Sequence, residues 1–397
     1  MSQRILLAFS GGLDTSYCVL HLKAQGHEVH TVTVDTGGFP PAELARLEAL
    51  AKRLGSTSHT TIDARQELFY DYLRFLLAGN VLRGGLYPLS VSAERVCQAK
   101  RAVGHARTIG ATALAHGSTG AGNDQVRFDV AFRTLAPELL LMAPIRELAP
   151  SRAEERAFLQ EHGFPFPEKT ETYSINEGMW GTSVGGKETH DSWQHLPDTA
   201  YPAGSVEPGL APKTLTVSFD KGVPSALDGA SMNPVDVIQS LNRIGQAYGI
   251  GRGLHLGDTI LGIKGRVGFE APAAHMLITA HRELEKLVLS GRQLFWKETL
   301  GNLYGSLLHE GHFFDPLCRD LEALLASSQS AVIGDVRMTL YPRTFAVEGV
   351  RSPFSLMRKD LASYGEGTSL WTGAEAAGFT KIFAVPQQLS HMVRGGA

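Results

Sequence analysis

The first 165 residues alternate short apolar runs with amphipathic segments, a pattern that predicts strands alternating with helices. The apolar runs are predicted as strands at 4–9, 28–34, 57–62, 112–116 and 139–143. The amphipathic segments are predicted as helices at 15–25, 40–54, 63–78, 93–109 and 151–162. Because strands separated by helices usually pair in parallel, we expect an α/β fold with a mostly parallel sheet covered on both faces.

The pattern changes after about residue 165. The segment 165–212 is rich in Pro, Gly, Ser and Thr, which predicts an irregular crossing segment. Beyond it we predict α+β organisation: a strand at 215–219, helices at 234–248, 274–300 and 304–327, and a hairpin with strands near 331–341 and 344–350. We therefore expect an α/β domain at 1–168, an α+β domain at 169–352 and an apolar tail at 353–397, a candidate subunit contact.

Composition narrows the class of protein. The 397 residues are 43% hydrophobic and 19% charged, which is typical of a globular protein of two domains. A net charge of −3 does not favour a nucleic-acid partner. Three scattered cysteines argue against disulfides and metal-binding pairs, and Cys18 is interpreted as a core residue. The sequence shows no signal-peptide or membrane-spanning run, so we expect a cytoplasmic protein without a membrane partner.

The heptapeptide Ser10–Ser16 links the first predicted strand to the first predicted helix. Its two glycines let the main chain approach an anion, and the helix N-terminus attracts phosphate. The hydroxyls of Ser10, Thr15 and Ser16 add donors, and Asp14 is placed where it could hold a Mg²⁺ ion that bridges phosphates. An ordinary tight turn is the alternative interpretation. The form S-G-G-x-D-[ST] resembles the pyrophosphate loop of enzymes that cleave ATP between the α- and β-phosphates.

A second glycine-rich loop, His116–Phe128, follows the predicted strand at 112–116. It brings Asn123, Asp124 and Arg127 into one loop and the first helical turn after it. The Arg127 guanidinium suits a carboxylate, and the Asn123 amide can both donate and accept hydrogen bonds. Such a site suits amino-acid substrates, although a glycine-rich loop capped by Asn or Asp would have the same pattern.

Three loops are expected to converge at one edge of the sheet. In a parallel sheet, ligands bind beyond the carboxyl ends of the strands, where the strand order reverses. The loops concerned are 10–14, 34–38 and 116–124. His116, at the end of its strand, is a candidate base, but a histidine in this position is more often structural.

The two motifs together resemble the argininosuccinate synthase family. Further parts of the resemblance, which extends over most of the chain, are Tyr87 with Ser92 and Arg95, the segment from Tyr173 to Ser183, Gly249–Arg252 and Ile263–Glu270. The resemblance implies an N-terminal ATP-pyrophosphatase domain of the adenine nucleotide alpha hydrolase type. It also implies a C-terminal synthetase domain and an oligomerisation tail, assembled as a homotetramer.

The resemblance implies the ATP-dependent joining of L-citrulline and L-aspartate in arginine biosynthesis. The citrulline ureido oxygen would attack the α-phosphorus of ATP, and the aspartate amine would then displace AMP from citrullyl-AMP. The implied ATP-binding residues are Ala8, Phe9, Ser10, Gly11, Gly12, Leu13, Asp14, Thr15, Ser16, Val34 and Gly117. Aspartate would be bound by Thr119, Asn123 and Asp124, and citrulline by Tyr87, Ser92, Asn123, Arg127, Ser174 and Ser183. We expect ATP and Mg²⁺ as cofactors, Asp14 as metal ligand, and Ser10, Asp14, Thr15 and Asp124 as catalytic residues.

The chain departs from the pattern of the family in the segment Pro88–Ser92, where L-L-G-T-S is usual, and at three single positions. Ala121 stands where many relatives have lysine, Gly257 where a citrulline-binding glutamate is usual, and Phe269 where tyrosine is usual. Asp258, next to Gly257, is a hypothetical substitute for that glutamate. The roles of Phe269 and Glu270 are left open at this point.

Two other functions fit the first motif alone. One is another ATP pyrophosphatase that adenylates a carbonyl or ureido oxygen, such as a tRNA-modifying enzyme or an amide-forming ligase. RNA-modifying enzymes should show a basic face, and thiolating ones a pair of reactive cysteines, and neither is visible in the sequence. The other is a nucleotide sensor without catalysis, which would leave Asn123, Asp124 and Arg127 without a role.

Overall fold

A computed structural model describes residues 2–166, 173–365 and 367–395. The described residues up to Pro353 form one compact unit, and those from Phe354 onward form a second. The predicted domain boundary between residues 168 and 169 lies outside the described residues, so the three-part division remains a prediction.

A five-stranded parallel sheet organises the N-terminal half, as the alternating pattern predicts. Its strands are β1 (Arg4–Ala8), β2 (Glu28–Asp35), β3 (Ser58–Asp63), β4 (Ala113–Ala115) and β5 (Leu140–Met142). They lie in the order β3-β2-β1-β4-β5 with every neighbouring pair parallel. Because β1 pairs with β2 on one side and β4 on the other, the strand order reverses between β1 and β4, where the two glycine-rich loops begin.

The helices of this half confirm the five predicted segments to within two residues at each end. They are α1 (Leu13–Ala24), α2 (Pro41–Arg53), α3 (Arg65–Leu68), α4 (Arg74–Ala78), α5 (Ser92–Thr108), α6 (Asn123–Leu135), α7 (Pro144–Leu148) and α8 (Arg152–Glu161). A π-helical turn, Phe69–Leu73, joins α3 to α4 inside the predicted helix 63–78. Cys18 in α1 is fully buried, as expected.

The part that follows is α+β, as predicted. Its strands are β6 (Ser174–Asn176), β7 (Thr182–Gly185), β8 (Lys213–Asp220), β9 (Val223–Leu227), β10 (Ala230–Ser231), β11 (Arg252–Asp258), β12 (Lys264–Glu270), β13 (Gly334–Tyr341) and β14 (Thr344–Arg351). They form two sheets, in the orders β10-β9-β8-β13-β14 and β11-β12-β7-β6. The sequence pattern predicts the β13–β14 hairpin. It does not predict the β11–β12 hairpin, nor β6 and β7, which lie in the segment expected to be irregular.

The prediction of two helices at 274–300 and 304–327 is wrong. The structure has three helices there: α10 (Pro272–Val288), α11 (Gly291–His309) and α12 (Pro316–Ser328). They follow α9 (Pro234–Ala247), which agrees with the helix predicted at 234–248. Ser290 starts α11 with a capping box, in which its side chain and that of Gln293 bond each other's backbone N–H groups. Asp315 caps α12, in which Pro316 takes the first position. These local signals divide a continuous apolar pattern.

The unit from Phe354 onward has a small hairpin, β15 (Ala362–Ser363) and β16 (Gly367–Thr368), and two helices, α13 (Gly373–Phe383) and α14 (Val385–Val393). No residue of either helix is buried. Phe379 and Phe383 are 63% and 67% exposed and stack on each other. Across the whole described chain, no helix has the length and apolar character that crossing a membrane requires.

A buried ion pair ties α10 to α11. The Lys297 Nζ lies 2.8 Å from a Glu285 carboxylate oxygen, and neither side chain is more than 2% exposed. Asn80 and Gln329 donate further hydrogen bonds to Glu285, at 2.6 and 2.9 Å. Lys297 also donates to the carbonyl of Ala78, at the end of α4. Groups from distant parts of the chain thus bond both oxygens of the Glu285 carboxylate.

We predict that Lys297→Met destabilises the larger unit by about 3–5 kcal/mol, because it leaves the Glu285 charge buried without a counter-ion. Lys286→Met is the matched control, since Lys286 forms an exposed pair with Glu283 at 2.6 Å. An exposed pair of this kind contributes roughly 0–1 kcal/mol. Urea unfolding followed by circular dichroism measures both variants, and equal losses of stability would contradict the prediction.

Candidate functional site

The loop after β1 is shaped for a close approach to an anion. Gly11 has a φ of +70°, and a Cβ there would lie 2.1 Å from Leu47 Cδ2, so only glycine fits. Gly12 is the N-cap of α1, and no side chain caps that end of the helix. The Ser10 and Thr15 hydroxyls lie 3.3 Å apart beside it. The sequence-predicted residues therefore combine hydroxyl donors with an uncapped helix N-terminus.

The loop after β4 packs directly against this helix end. A Cβ at Gly117 would lie 3.0 Å from Thr15 Cγ2 and 3.3 Å from the Thr15 backbone nitrogen. The first turn of α1 and the second glycine-rich loop are therefore neighbours at the reversal of the strand order. Thr119 is exposed in the same loop, and Gly122 is the N-cap of α6.

Asp14 shares its surroundings with a second carboxyl group. Glu155 of α8 is 2% exposed, and the Asp14 carboxyl group acts on its pKa. Burial and the neighbouring Asp14 raise the pKa of Glu155 to about 7. Carboxylate oxygens are ligands that Mg²⁺ prefers, so this pair fits one side of a magnesium ion. Within the described residues, no cluster of three or more His, Cys, Asp and Glu side chains could hold a metal.

The loop after β2 connects to α5 through a buried carboxyl group. Val34, a predicted adenine contact, is 6% exposed at the end of β2. Two residues on, Thr36 donates a hydrogen bond of 3.3 Å to Glu94, which is 1% exposed. Burial raises the pKa of Glu94 to about 8, although Arg95 opposes the shift. Gln98 in turn donates to the Thr36 hydroxyl at 3.3 Å.

Asp124 lies between two arginines. Arg95 Nε and Arg127 Nη1 lie 2.9 and 2.8 Å from its two carboxylate oxygens. Burial alone would raise the pKa of Asp124, but the two guanidinium groups lower it to about 2. Asp124 is therefore ionised at neutral pH. Arg95 also donates to Gln98 and to Asn176, which fixes the guanidinium on the side opposite Arg127.

Arg127 is held from its other side by His309, a residue that sequence reasoning missed. Arg127 is 3% exposed and donates to the His309 carbonyl at 2.9 Å. Its Nη2 and the Ser92 hydroxyl lie 3.1 and 2.9 Å from His309 Nδ1. Burial and the charge of Arg127 lower the pKa of His309 to about 2, so the neutral ring accepts at Nδ1. His309 thus joins two predicted citrulline ligands, Ser92 and Arg127.

Tyr87 is buried and enclosed by aromatic rings. Its ring stacks on His255 of β11 at 5.3 Å and contacts Phe269 of β12 at 5.2 Å. Burial raises the pKa of Tyr87 to about 12, while the Arg127 charge opposes the shift. Phe269, whose role the sequence left open, is a fully buried part of this aromatic cluster.

The small sheet brings other predicted residues close to this cluster. Ser183 of β7 is paired with Phe269 in the sheet, and Ser174 of β6 lies one strand further out and is exposed. Asn123 accepts a hydrogen bond of 2.9 Å from the backbone of Ile260, in the turn of the β11–β12 hairpin. The start of α6 is therefore fixed to that hairpin.

Three residues that the sequence analysis considered for roles in the site are already bonded to other side chains of the protein. His116 accepts from the Ser118 backbone N–H at Nδ1, and its Nε2 lies 2.8 Å from Asp129, so both ring nitrogens are occupied. Asp258 pairs with Lys264 at 2.6 Å, and both side chains are more than half exposed. Glu270, left open by the sequence, is buried in an ion pair with Arg252 at 2.8 Å.

Comparison with known proteins matches both halves of the chain. The family model described as the arginosuccinate synthase N-terminal HUP domain matches residues 4–165, and the model of the arginosuccinate synthase C-terminal domain matches residues 173–390. Argininosuccinate synthase of Methanocaldococcus jannaschii is 39% identical over 99% of both chains. That of Rubrobacter xylanophilus is 39% identical over 97% of this chain and 94% of its own. That of Xanthomonas campestris pv. campestris is 39% identical over 98% of both.

We predict that Glu94 makes the folded protein less stable as the pH rises. Its folded pKa of about 8 lies above the ordinary value of 4.5, so the folded state binds the proton more tightly between these values. Stability is therefore lost as the pH rises through that window. Glu94→Gln mimics the protonated carboxyl and should gain stability over wild type, by at least about 1 kcal/mol, from about pH 5 to pH 8.

Urea unfolding at several pH values measures this difference. Glu161→Gln is the control, because Glu161 is exposed at the end of α8 and its variant should parallel wild type. A Glu94→Gln profile that also runs parallel to wild type would contradict the prediction.

Proposed function

We propose that this chain, which belongs to the argininosuccinate synthase family, joins L-citrulline to L-aspartate with cleavage of ATP to AMP and diphosphate. It is an ATP-dependent carbon–nitrogen ligase. The observation that carries this proposal is the close approach of Gly117 to Thr15. It brings the loop Ser10–Ser16, which suits a phosphate, beside the loop His116–Phe128, which suits amino acids. The family matches span both halves of the chain and do not favour another ATP pyrophosphatase.

The nucleotide would lie at the N-terminus of α1. Ser10, Gly11, Gly12 and Thr15 would bind the departing diphosphate, and Val34 and Gly117 would lie beside the nucleotide. Support comes from the uncapped helix end and from the hydroxyls of Ser10 and Thr15 next to it. Asp14, with Glu155 behind it, would hold Mg²⁺, which when bound neutralises charge on the phosphates.

The two amino acids would bind around Asp124. Because its pKa is about 2, Asp124 offers an anionic acceptor to the aspartate ammonium, with Thr119 and Asn123 alongside. Arg127 would pair with the citrulline carboxylate, with Tyr87, Ser92, Ser174 and Ser183 lining the rest of that site. Catalysis would then consist mainly of orientation and charge neutralisation, and orientation can supply roughly 7–11 kcal/mol.

The overall proposal is tested by following AMP and diphosphate formed by the full-length protein. We expect equal amounts of both in steady-state turnover, and only when ATP, citrulline and aspartate are all present. Diphosphate release that requires neither amino acid would indicate a different enzyme, and no release under any condition would favour a nucleotide sensor.

We also propose the domain division 1–168, 169–352 and 353–397, a cytoplasmic location and a homotetramer. The family resemblance supports the domain division and the tetramer. The exposed apolar residues of the tail, among them Trp371 and Ile382 at 53% and 73% exposure, support its role in subunit contact.

We predict that Asp14→Asn lowers kcat on the order of 10²-fold while the fold is kept, because one charged contact to the metal–diphosphate group is lost. Asp63→Asn is the control. Asp63 lies at the end of β3 on the same sheet edge and pairs with Arg65 at 2.7 Å. Steady-state release of diphosphate measures both, and near-normal turnover of Asp14→Asn would contradict the assignment.

Arg127→Ala is expected to lower kcat/KM for citrulline, because a charge-assisted contact with the substrate carboxylate is lost. The loss should correspond to about 2–3 kcal/mol of activation free energy. Arg127→Lys keeps the charge without the planar fork and should show a smaller loss. The KM for ATP should stay close to that of wild type. An unchanged kcat/KM for citrulline in Arg127→Ala would refute the role.

A chain that stops after Pro353 should lose the tetramer and elute as a smaller species, because the apolar tail residues would no longer link subunits. Light scattering on the eluting protein measures the mass. The full-length double variant Trp371→Ser, Phe383→Ser keeps the chain length and should also dissociate. Tetramers in both proteins would reject the role of the tail.

A further inference from the structure

A histidine ring covers one face of Tyr87 in the predicted citrulline site. The ring of His255 is stacked 5.3 Å from that of Tyr87 at an angle of 21°. His255 is only partly buried, and among the described residues no hydrogen bond is made by either of its ring nitrogens. Its polar atoms are thus available to a ligand beside Tyr87.

The backbone around His255 leaves room for the ring. Gly257 lies two residues further on β11 and therefore on the same face of the strand. A Cβ there would lie 2.7 Å from His255 Nε2, and one at Gly84 would lie 3.4 Å from its Cε1. The ring thus fills space that a side chain at position 257 would need.

His255 lies beside Tyr87, and the charges of Arg127 and Asp124 act on the pKa of the Tyr87 hydroxyl. Burial, assisted by the positive charge of Arg83, lowers the pKa of His255, so the ring is neutral at pH 7. A neutral imidazole has one nitrogen that accepts a hydrogen bond.

We propose that His255 is a specificity-determining residue for citrulline, whose α-ammonium donates a hydrogen bond to a ring nitrogen while the neighbouring carboxylate pairs with Arg127. This inference rests on the proposed function. Three of the five Arg127 N–H groups are already used within the protein, which leaves two for a carboxylate. An α-ammonium lies directly beside its carboxylate, so it needs an acceptor close to Arg127. Asp258, the other candidate, is paired with Lys264 and largely exposed.

The test compares citrulline with 5-ureidopentanoate, which lacks only the α-amino group. Wild-type protein with ATP and aspartate should use citrulline at least about tenfold better in kcat/KM, the effect of one hydrogen bond to a charged group. His255→Phe keeps a ring on Tyr87 but no nitrogen. It should lose most of this discrimination through a raised KM for citrulline, with KM for ATP and aspartate unchanged. His195→Phe, at an exposed histidine, is the control.

The outcomes separate the two claims. If wild-type protein shows no citrulline-dependent diphosphate release, the proposed function itself fails. If wild type discriminates and His255→Phe discriminates equally well, the inference about His255 is overturned. It is also overturned if Asp258→Ala loses the discrimination while His255→Phe retains it.

Discussion

Two arginines hold one carboxylate at the start of α6, and the rest of the site is arranged around this cluster. Asp124 bonds Arg95 on one side and Arg127 on the other. Removing such charges from water is costly unless each has a partner, and here every charge has one. Each guanidinium is further fixed by groups from elsewhere in the chain, Arg95 by Asn176 and Arg127 by His309. The cluster therefore joins the parallel sheet, the small antiparallel sheet and α11 at one place.

The groups next to this charged cluster are kept neutral by burial. Burial away from water lowers the pKa of His309 to about 2. It raises the pKa of Glu94 to about 8 and that of Tyr87 to about 12. In a site of this kind, fixed charges can orient charged substrates and neutralise charge on a leaving group. This agrees with a reaction whose nucleophile is a ureido oxygen and whose leaving group is already anionic. Both ring nitrogens of His116 are bound within the protein, to Asp129 and to the Ser118 backbone.

Sequence patterns predicted the parallel sheet and both loops because their signals are local. A glycine-rich turn in Ser10–Ser16 and another in His116–Phe128 each follow an apolar strand directly and lead directly into a helix. The break at Ser290 also has a local signal, the capping pair with Gln293, but the continuous apolar pattern concealed it. His309 had no signal that could be found, because it lies 182 residues from Arg127 in the chain. The β11–β12 hairpin was concealed by its glycines, which weaken the alternation that marks a strand.

In the proposed reaction, the first loop binds the diphosphate while the second aligns two amino acids beside it. The most direct measurement is a crystal structure of the full-length protein with citrulline, aspartate and an ATP analogue that carries a methylene group between the α- and β-phosphates. We expect the β- and γ-phosphates on the backbone N–H groups between Gly11 and Thr15, with the α-phosphate facing the citrulline ureido oxygen. A triphosphate bound away from the N-terminus of α1 would contradict it.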